Sequence, residues 1–468
     1  MSTNGLIHKI QSLEELFNQG SRLEAIKNTL SLLKKAPNHE DLLNTLAIFY
    51  AKNKQLEESS LIFKKLIKLS SNEPKFKYNL ANLLVLQYKF FECKPILESL
   101  AEEYTNNFKY QREAGILCTK IGDLDLAKKY LSRAINLDKN NFDLIFTMST
   151  VLLKKGEFAE GWRLYESRFK HSVIGKKFQV ASKRIFEGKI KRYSGEDLSN
   201  KTLLIHDEQG FGDFLLVMRY LEKLKRKYKS VNIIVVCKEP LREILQRTDY
   251  ISKVYTYSDQ RKIDATHFDF WDFIMSIPKY FENDSTDFDN FLPYINYESK
   301  LKPRYHNLFE ENKLNIGISY HGNSGFINDE HRSMRSLEPL KELINQDRYN
   351  FIYLNIDDIS DQVKKLGLKI KQPRELESFH DTYTILKKLD LVISTDTAIV
   401  HLAGSTGVPC WSLLGCISTS WIWGDKKDKT MRYPSVSLYR QKKPNDWAYV
   451  VNKVKTDLDK FSSALLSS

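Results

Sequence analysis

Two short stretches of this chain carry residue types at spacings that can do chemistry. The first is His206-Asp207-Glu208-Gln209-Gly210-Phe211-Gly212-Asp213, a strand end followed by two glycines and an acid. Gly210 and Gly212 would let the backbone turn tightly and approach a ligand, and Asp213 stands where it either caps a helix or faces a cleft. The second stretch runs from Ser394-Thr395-Asp396-Thr397-Ala398 through His401 to Gly404 and continues to Gly407-Val408-Pro409. It reads as a strand passing into a helix. The amides of Thr397 and Ala398 at that helix start would form an anion site suited to a diphosphate, with His401 one turn on along the same face. Asp396 either caps the helix or borders the ligand.

Other candidates surround these two. Asn355, Asp357 and Asp358 follow an apolar run in the second half, where one of them could bind ribose hydroxyls or simply cap a loop. Trp421 and Trp423 would either stack on a sugar or base or serve as packing anchors. No cluster has metal-ligand spacing. The five cysteines form no CxxC pair and read as reduced, mostly buried thiols.

The elements that must hold these residues begin at Lys201, where short β-rich runs alternate with amphipathic helices. Leu203-Leu204-Ile205 and Val231 to Cys237 read as strands, with a helix from Asp213 to Tyr228 between them. Ile316 to Tyr320, Phe351 to Leu354 and Leu391 to Ser394 begin a second series. The pattern predicts two Rossmann-like lobes, residues 201–311 and 312–445, with the site at the carboxyl ends of the strands in the cleft between them. Residues 446–468 read as a closing helix packed back across the lobes.

The first half repeats. Blocks starting at Leu6, Glu40, Pro74, Phe108 and Phe142 follow the 34-residue period of tetratricopeptide units. Small residues recur in phase, at Ala47, Ala81, Gly115 and Ser149 and again at Ala25, Ser59, Cys93, Ala127 and Gly161, as close helix crossing requires. Residues 1–170 are therefore expected to form a helical solenoid whose concave face takes a peptide or protein. The block from Gly156 through Trp162, Tyr165-Glu166 and Arg168 would close it, and residues 171–200 would connect the halves.

Together these motifs resemble glycosyltransferase family 9, the heptosyltransferase-like enzymes, and more closely bacterial relatives with N-terminal tetratricopeptide arrays. The resemblance rests on Glu208 to Asp213, Gly322-Asn323, Asn328 to Ser333, Asp396 to Gly404, Trp421, Trp423, Tyr433-Pro434, Arg440-Gln441 and Asp446-Trp447. It implies an α + α/β chain with a GT-B-like lobe pair that transfers a sugar from a nucleotide diphosphate donor to an acceptor hydroxyl on protein or glycan, inverting and without a metal. In that scheme Asp213 is the catalytic base, and the donor is held by Gly210, Gly212, Asn355, Asp396, Thr397, Ala398 and His401. Arg332 or Arg335 offsets the leaving diphosphate. Ala398 replaces the glycine usual in heptosyltransferases, and Asn328 to Arg335 replaces their lysine-bearing loop, so the resemblance does not extend to ADP-heptose as donor. The alternative is a non-catalytic scaffold with a vestigial nucleotide-sugar pocket.

Composition fits a folded chain of two or three domains: 468 residues, 42% hydrophobic and 28% charged. The net charge of +13 comes from 72 basic against 59 acidic residues, mostly lysines scattered over helix faces. Its densest run, Lys176 to Arg192, reads as a solvated linker or an anion-binding segment. No basic motif with interleaved aromatics points to nucleic acid. The N-terminal residues lack an apolar signal core and no stretch approaches the roughly 18 apolar residues of a membrane span, so cytoplasmic residence is the expectation.

Overall fold

The computed structural model describes residues 3–176, 190–284, 293–325, 329–425 and 428–466, and divides into two compact units, Met1–Leu144 and Ile145–Ser468.

The first unit consists of helix pairs: α1 (Thr3–Asn18), α2 (Arg22–Lys35), α3 (Glu40–Lys52), α4 (Leu56–Leu69), α5 (Pro74–Leu86), α6 (Phe90–Glu103), α7 (Phe108–Ile121) and α8 (Leu124–Leu137). The first helices of successive pairs start at Glu40, Pro74 and Phe108 and the second at Leu56, Phe90 and Leu124, so the 34-residue spacing of the sequence is the spacing of the elements. The small positions act where helices cross. Ser59 Oγ donates to the Ala47 carbonyl at 2.7 Å, and Cys93 Sγ, 34 residues on, donates to that of Ala81 at 3.3 Å. A Cβ on Gly115 would lie 2.8 Å from the Leu131 side chain. The turn between α7 and α8 is closed by Gly122 at φ 80° and by Asp123, whose carboxylate accepts from the Leu126 amide.

The second unit begins inside α9 (Phe142–Lys155), followed by α10 (Phe158–Tyr165) and a 3₁₀ turn over Glu166–Lys170. Phe158 keeps the period, 34 residues after Leu124, which is why the sequence assigns residues 1–170 to the array. Packing divides the chain earlier. Phe158, Trp162 and Tyr165 lie in the same buried cluster as Leu203, Ile205 and Leu215, so the closing repeat is built into the core of the α/β unit.

Two parallel sheets follow. The first contains β1 (Lys191–Arg192), β2 (Thr202–His206), β3 (Asn232–Cys237), β4 (Lys253–Thr256) and β5 (Phe270–Phe273), in the order β1-β5-β2-β3-β4. The second contains β6 (Leu314–Ser319), β7 (Tyr349–Tyr353), β8 (Ile370–Lys371), β9 (Leu391–Thr395), β10 (Cys410–Leu414) and β11 (Val436–Arg440), in the order β11-β10-β9-β6-β7-β8. The expected connector thus ends as an edge strand; residues 177–189 of its basic run lie outside the described residues. Central strands such as Leu203-Leu204-Ile205 are fully buried, as sheets covered by helices on both faces require. Strand order reverses around β2, flanked by β5 and β3, and around β6, flanked by β9 and β7. The loops after β2, β6 and β9 therefore border the crevices where open parallel sheets place ligands.

Helices α11 (Phe211–Val217) and α12 (Arg219–Lys227) replace the single helix expected from Asp213 to Tyr228. Among the helices that follow are α13 (Asp329–Arg332), α14 (Phe379–Leu386), α15 (Ala398–Thr406) and α16 (Trp447–Leu466). The last of these packs Trp447, Val450, Val454 and Leu458 into the core of the second sheet alone, correcting the expectation that it crosses both lobes.

Arg168 joins these parts. Fully buried, it makes a bidentate pair with Glu208, Nε to Oε2 at 2.9 Å and Nη2 to Oε1 at 2.8 Å, and also bonds Glu166 and Ser276. Removing one partner of such a pair strands the other charge in a low-dielectric interior. Arg168→Met is expected to cost about 3–5 kcal/mol in the unfolding of the α/β unit, read by urea titration.

Candidate functional site

The loop after β2 is held from beneath by the closing repeat. Glu208 is fixed by Arg168 and accepts the Met275 amide at 2.9 Å, while Gln209 donates to the Tyr165 hydroxyl at 2.7 Å. Lys238, just past β3, donates to the Gln209 carbonyl at 2.6 Å. The residue that turns the chain is Gln209, at φ 61°, and neither Gly210 nor Gly212 has positive φ. Gly212 is needed for another reason: a Cβ there would sit 2.6 Å from Cδ2 of His401. The sequence expectation that both glycines serve a tight turn and ligand approach is thus corrected at Gly212, whose open side is filled by an imidazole of the opposite lobe.

Asp213 is half-buried in the first turn of α11, and its Oδ2 accepts the Gly210 amide at 2.9 Å. Burial pushes its carboxyl up to about 6, against the lowering effect of the Gly210 bond, and the charges of Asp396 and Glu208 add to the rise. Asp213 is therefore both a capping residue and a carboxylate with the affinity for protons that a base near neutral pH needs.

Across from it, Thr397 caps α15, its Oγ1 accepting the Ile399 amide at 3.3 Å and meeting Ser394 Oγ at 3.0 Å. Thr397, and not Asp396, is therefore the cap. Asp396 is buried, its carboxyl raised by burial and opposed by the Trp423 indole and the charges of Arg332 and Arg440. Among the described residues the Trp423 N–H makes no hydrogen bond of normal geometry despite that proximity. Ala398, half-exposed, begins the helix.

His401 is 4% exposed, with Nδ1 3.1 Å from the Tyr433 hydroxyl and its ring stacked on Trp423 at 5.1 Å. Burial, followed by the charges of Arg219, Arg332 and Arg432, holds its pKa near 3. It is neutral at physiological pH and lies at the contact between α11 and α15. Trp423 is fully buried and Trp421 meets Trp162 edge-on at 5.3 Å, so the packing role is the one realised.

Arg332 sits beside Gly322, where a Cβ would lie 2.7 Å from the guanidinium, and donates to Asp329 at 3.1 Å. Arg335 points away, 73% exposed and 3.8 Å from Glu330. Asn355 donates to the His321 carbonyl at 2.8 Å, and its buried Oδ1 has no partner among the described residues. Asp357 accepts the Tyr353 hydroxyl at 2.7 Å and lies 3.1 Å from His321 Nε2, and Asp358 accepts the Ser360 amide.

Asp213, Asp396, Thr397, His401 and Arg332 are therefore linked by contact or by charge, whereas Arg335 is outside the group. Sequence reasoning named Arg168 only as part of the closing repeat, and it missed Arg219 and Lys154, which lie on helices where any cation reads as solvated surface. Arg219 is buried, donating to the Leu216 and Arg432 carbonyls. Among the described residues no group of three or more His, Cys, Asp or Glu could hold a metal, and no helix is long and apolar enough to cross a membrane.

Residues 113–141 match the family described as Tetratricopeptide repeat. One tetratricopeptide repeat thus lies within the helical half, across α7 and α8. Over 355 residues the chain is 24% identical to Protein FlbA of Caulobacter vibrioides, covering 68% of this chain and 55% of FlbA. The chain spans little more than half the length of that relative. Solved structures similar to it include MamA RS-1, as its ArsTM double mutant, at 14% identity and TM-score 0.33, covering 36% of this chain and 94% of that one. YrrB, described as a TPR protein with an unusual peptide-binding site, gives 14% and 0.33, covering 36% of this chain and 90% of its own.

Two predictions test this geometry. Gly212→Ala forces a packed ring to move and should destabilise the α/β unit by about 1–3 kcal/mol in urea unfolding. Because the folded pKa of Asp213 lies above its ordinary 3.8, this group's contribution to stability is full below that value and is lost as pH rises to about 6. Asp213→Asn should therefore match the wild type in Tm at pH 3.5 and exceed it at pH 7.5.

Proposed function

We propose that the α/β unit is a glycosyltransferase with a GT-B-like lobe pair, moving a sugar from a nucleotide diphosphate donor to an acceptor hydroxyl on a protein or glycan. The observation that carries the reading is Asp213: a half-buried carboxyl in the first turn of α11, past the loop after β2, with its pKa near 6, within electrostatic reach of Asp396 just before the opposite lobe's helix. At neutral pH it is mostly ionised yet basic enough to take a proton from an attacking hydroxyl. The acceptor oxygen bonds to the anomeric carbon as the carbon–oxygen bond to the diphosphate breaks. Attack from the opposite face inverts the centre, and the proton passes to Asp213. Arg332 and the first amides of α15, at Thr397 and Ala398, offset charge on the departing diphosphate. Asn355, whose buried Oδ1 has no partner among the described residues, would accept from a ribose hydroxyl. The scheme calls for no metal and no cofactor beyond the donor. The tetratricopeptide array would select a protein or peptide acceptor on its concave face, and cytoplasmic residence accords with a soluble nucleotide donor.

A scaffold reading is favoured by one feature, the filling of the space above Gly212 by His401, which leaves no room for ligand between α11 and α15 at that point. The two readings part in a thermal-shift panel of nucleoside diphosphates and nucleotide sugars, because a ligand that binds only the native state raises its stability. We expect a rise in Tm with one donor class. With that donor, Asp213→Asn should lower turnover by about 100-fold or more while keeping the thermal shift. The absence of any shift would support the scaffold; unchanged turnover would remove Asp213 from the chemistry.

A further inference from the structure

The loop from Thr419 to Gly424 carries two cations on its carbonyl groups. Lys154, near the end of α9, donates its Nζ to the Thr419 carbonyl at 3.2 Å. Arg440, the last residue of β11, donates to the Trp423 carbonyl at 2.8 Å and reaches that of Gly424 at 3.4 Å. Trp423 is the residue stacked on His401, and the loop is anchored on its other side by Trp421 against Trp162. The two cations thus hold one aromatic-anchored loop, and Arg440 lies within the field of Asp396, just before α15.

We infer that Lys154 and Arg440 form an anion-binding pair for the diphosphate of the donor, so that the closing repeat supplies a ligand-contacting side chain to the α/β unit. This rests on the reading under Proposed function and adds Arg440, at the end of β11, and Lys154, from outside the two lobes.

Three facts support the pairing. Lys154 bonds to a neutral carbonyl at a half-buried position, where an ammonium is costly unless an anion joins it. Each of the two cations lies in the electrostatic field of a neighbour in this corner: Arg440 lowers the affinity of Lys154 for its proton, and Asp396 feels both Arg440 and Arg332. The exposed Asp425 acts on both Lys154 and Arg440, and Asp428 on Arg440, yet burial outweighs them: Lys154 is lowered to about 8 and Arg440 stays below the ordinary arginine value. A diphosphate would restore the balance, with the guanidinium forking two oxygens and the ammonium acting as a compact charge.

Inorganic pyrophosphate, titrated calorimetrically into the full-length protein alongside ADP, UDP and GDP, tests the inference. Lys154→Gln keeps an N–H for the Thr419 carbonyl while removing the charge, and should weaken pyrophosphate at least tenfold; Lys154→Arg should retain most of the affinity. Lys64→Met, which removes an exposed lysine of the helical array, should leave binding unchanged. Arg440→Gln, read in the same way, is the second arm should either Lys154 variant fold poorly. Wild-type affinity in both neutral variants would overturn the inference while leaving the glycosyltransferase reading in place. If the wild-type protein binds neither pyrophosphate nor any of the three nucleoside diphosphates, the inference and the donor site both fall.

Discussion

Glu282 is a buried carboxylate that three parts of the α/β unit must satisfy together. Arg432, beyond β10 in the second lobe, donates to both its oxygens at 2.6 and 3.0 Å. Trp162 of the closing repeat donates at 2.6 Å, and Tyr220 of the first lobe supplies its hydroxyl. Burial alone would favour the protonated acid, but Arg432 and these donors hold the group below its ordinary pKa. Because the charge is sequestered from water, any movement that separated the lobes here would leave an unpaired ion, at a cost far larger than that of a surface contact.

The relation between the lobes that Glu282 fixes is what gives the remaining polar residues their environments. Gly212 meets His401 at its far side, His401 stacks on Trp423, and Trp423 lies near Asp396. The charge of Asp396 then adds to burial in raising the affinity of Asp213 for its proton, while burial raises that of Asp396. Asp213 is unusual because of this packing; an aspartate in the first turn of a solvent-facing helix would be favoured in its ionised form.

Cations in the same region are arranged in two classes. Arg168 and Arg432 are consumed by Glu208 and Glu282, and their work is structural. Arg332, Arg440 and Lys154 gather about the loops after β6 and β10, within the field of Asp396 or of one another. Their field is moderated by carboxylates of the same region, Asp329 bonded to Arg332, Asp396 acting on Arg440, and Asp425 acting on both Lys154 and Arg440.

By itself the sequence determined the period of the helical array, because small residues must recur wherever helices cross, and the helices starting at Glu40, Pro74, Phe108 and Phe142 begin where the 34-residue blocks do. It also determined the central strands β2, β3, β6, β7 and β9, whose apolar runs leave little alternative, and it singled out the two loops holding Asp213 and Asp396. Other matters were settled only by tertiary structure. The cap of α15 went to Thr397 because its hydroxyl, unlike the Asp396 carboxylate, was oriented by Ser394. Gln209 took the left-handed turn because Tyr165 and Lys238 hold it there. The closing repeat joined the α/β core because Trp162, Tyr165 and Arg168 found partners there, and periodicity records which residues lie on a helix face but not what that face will meet.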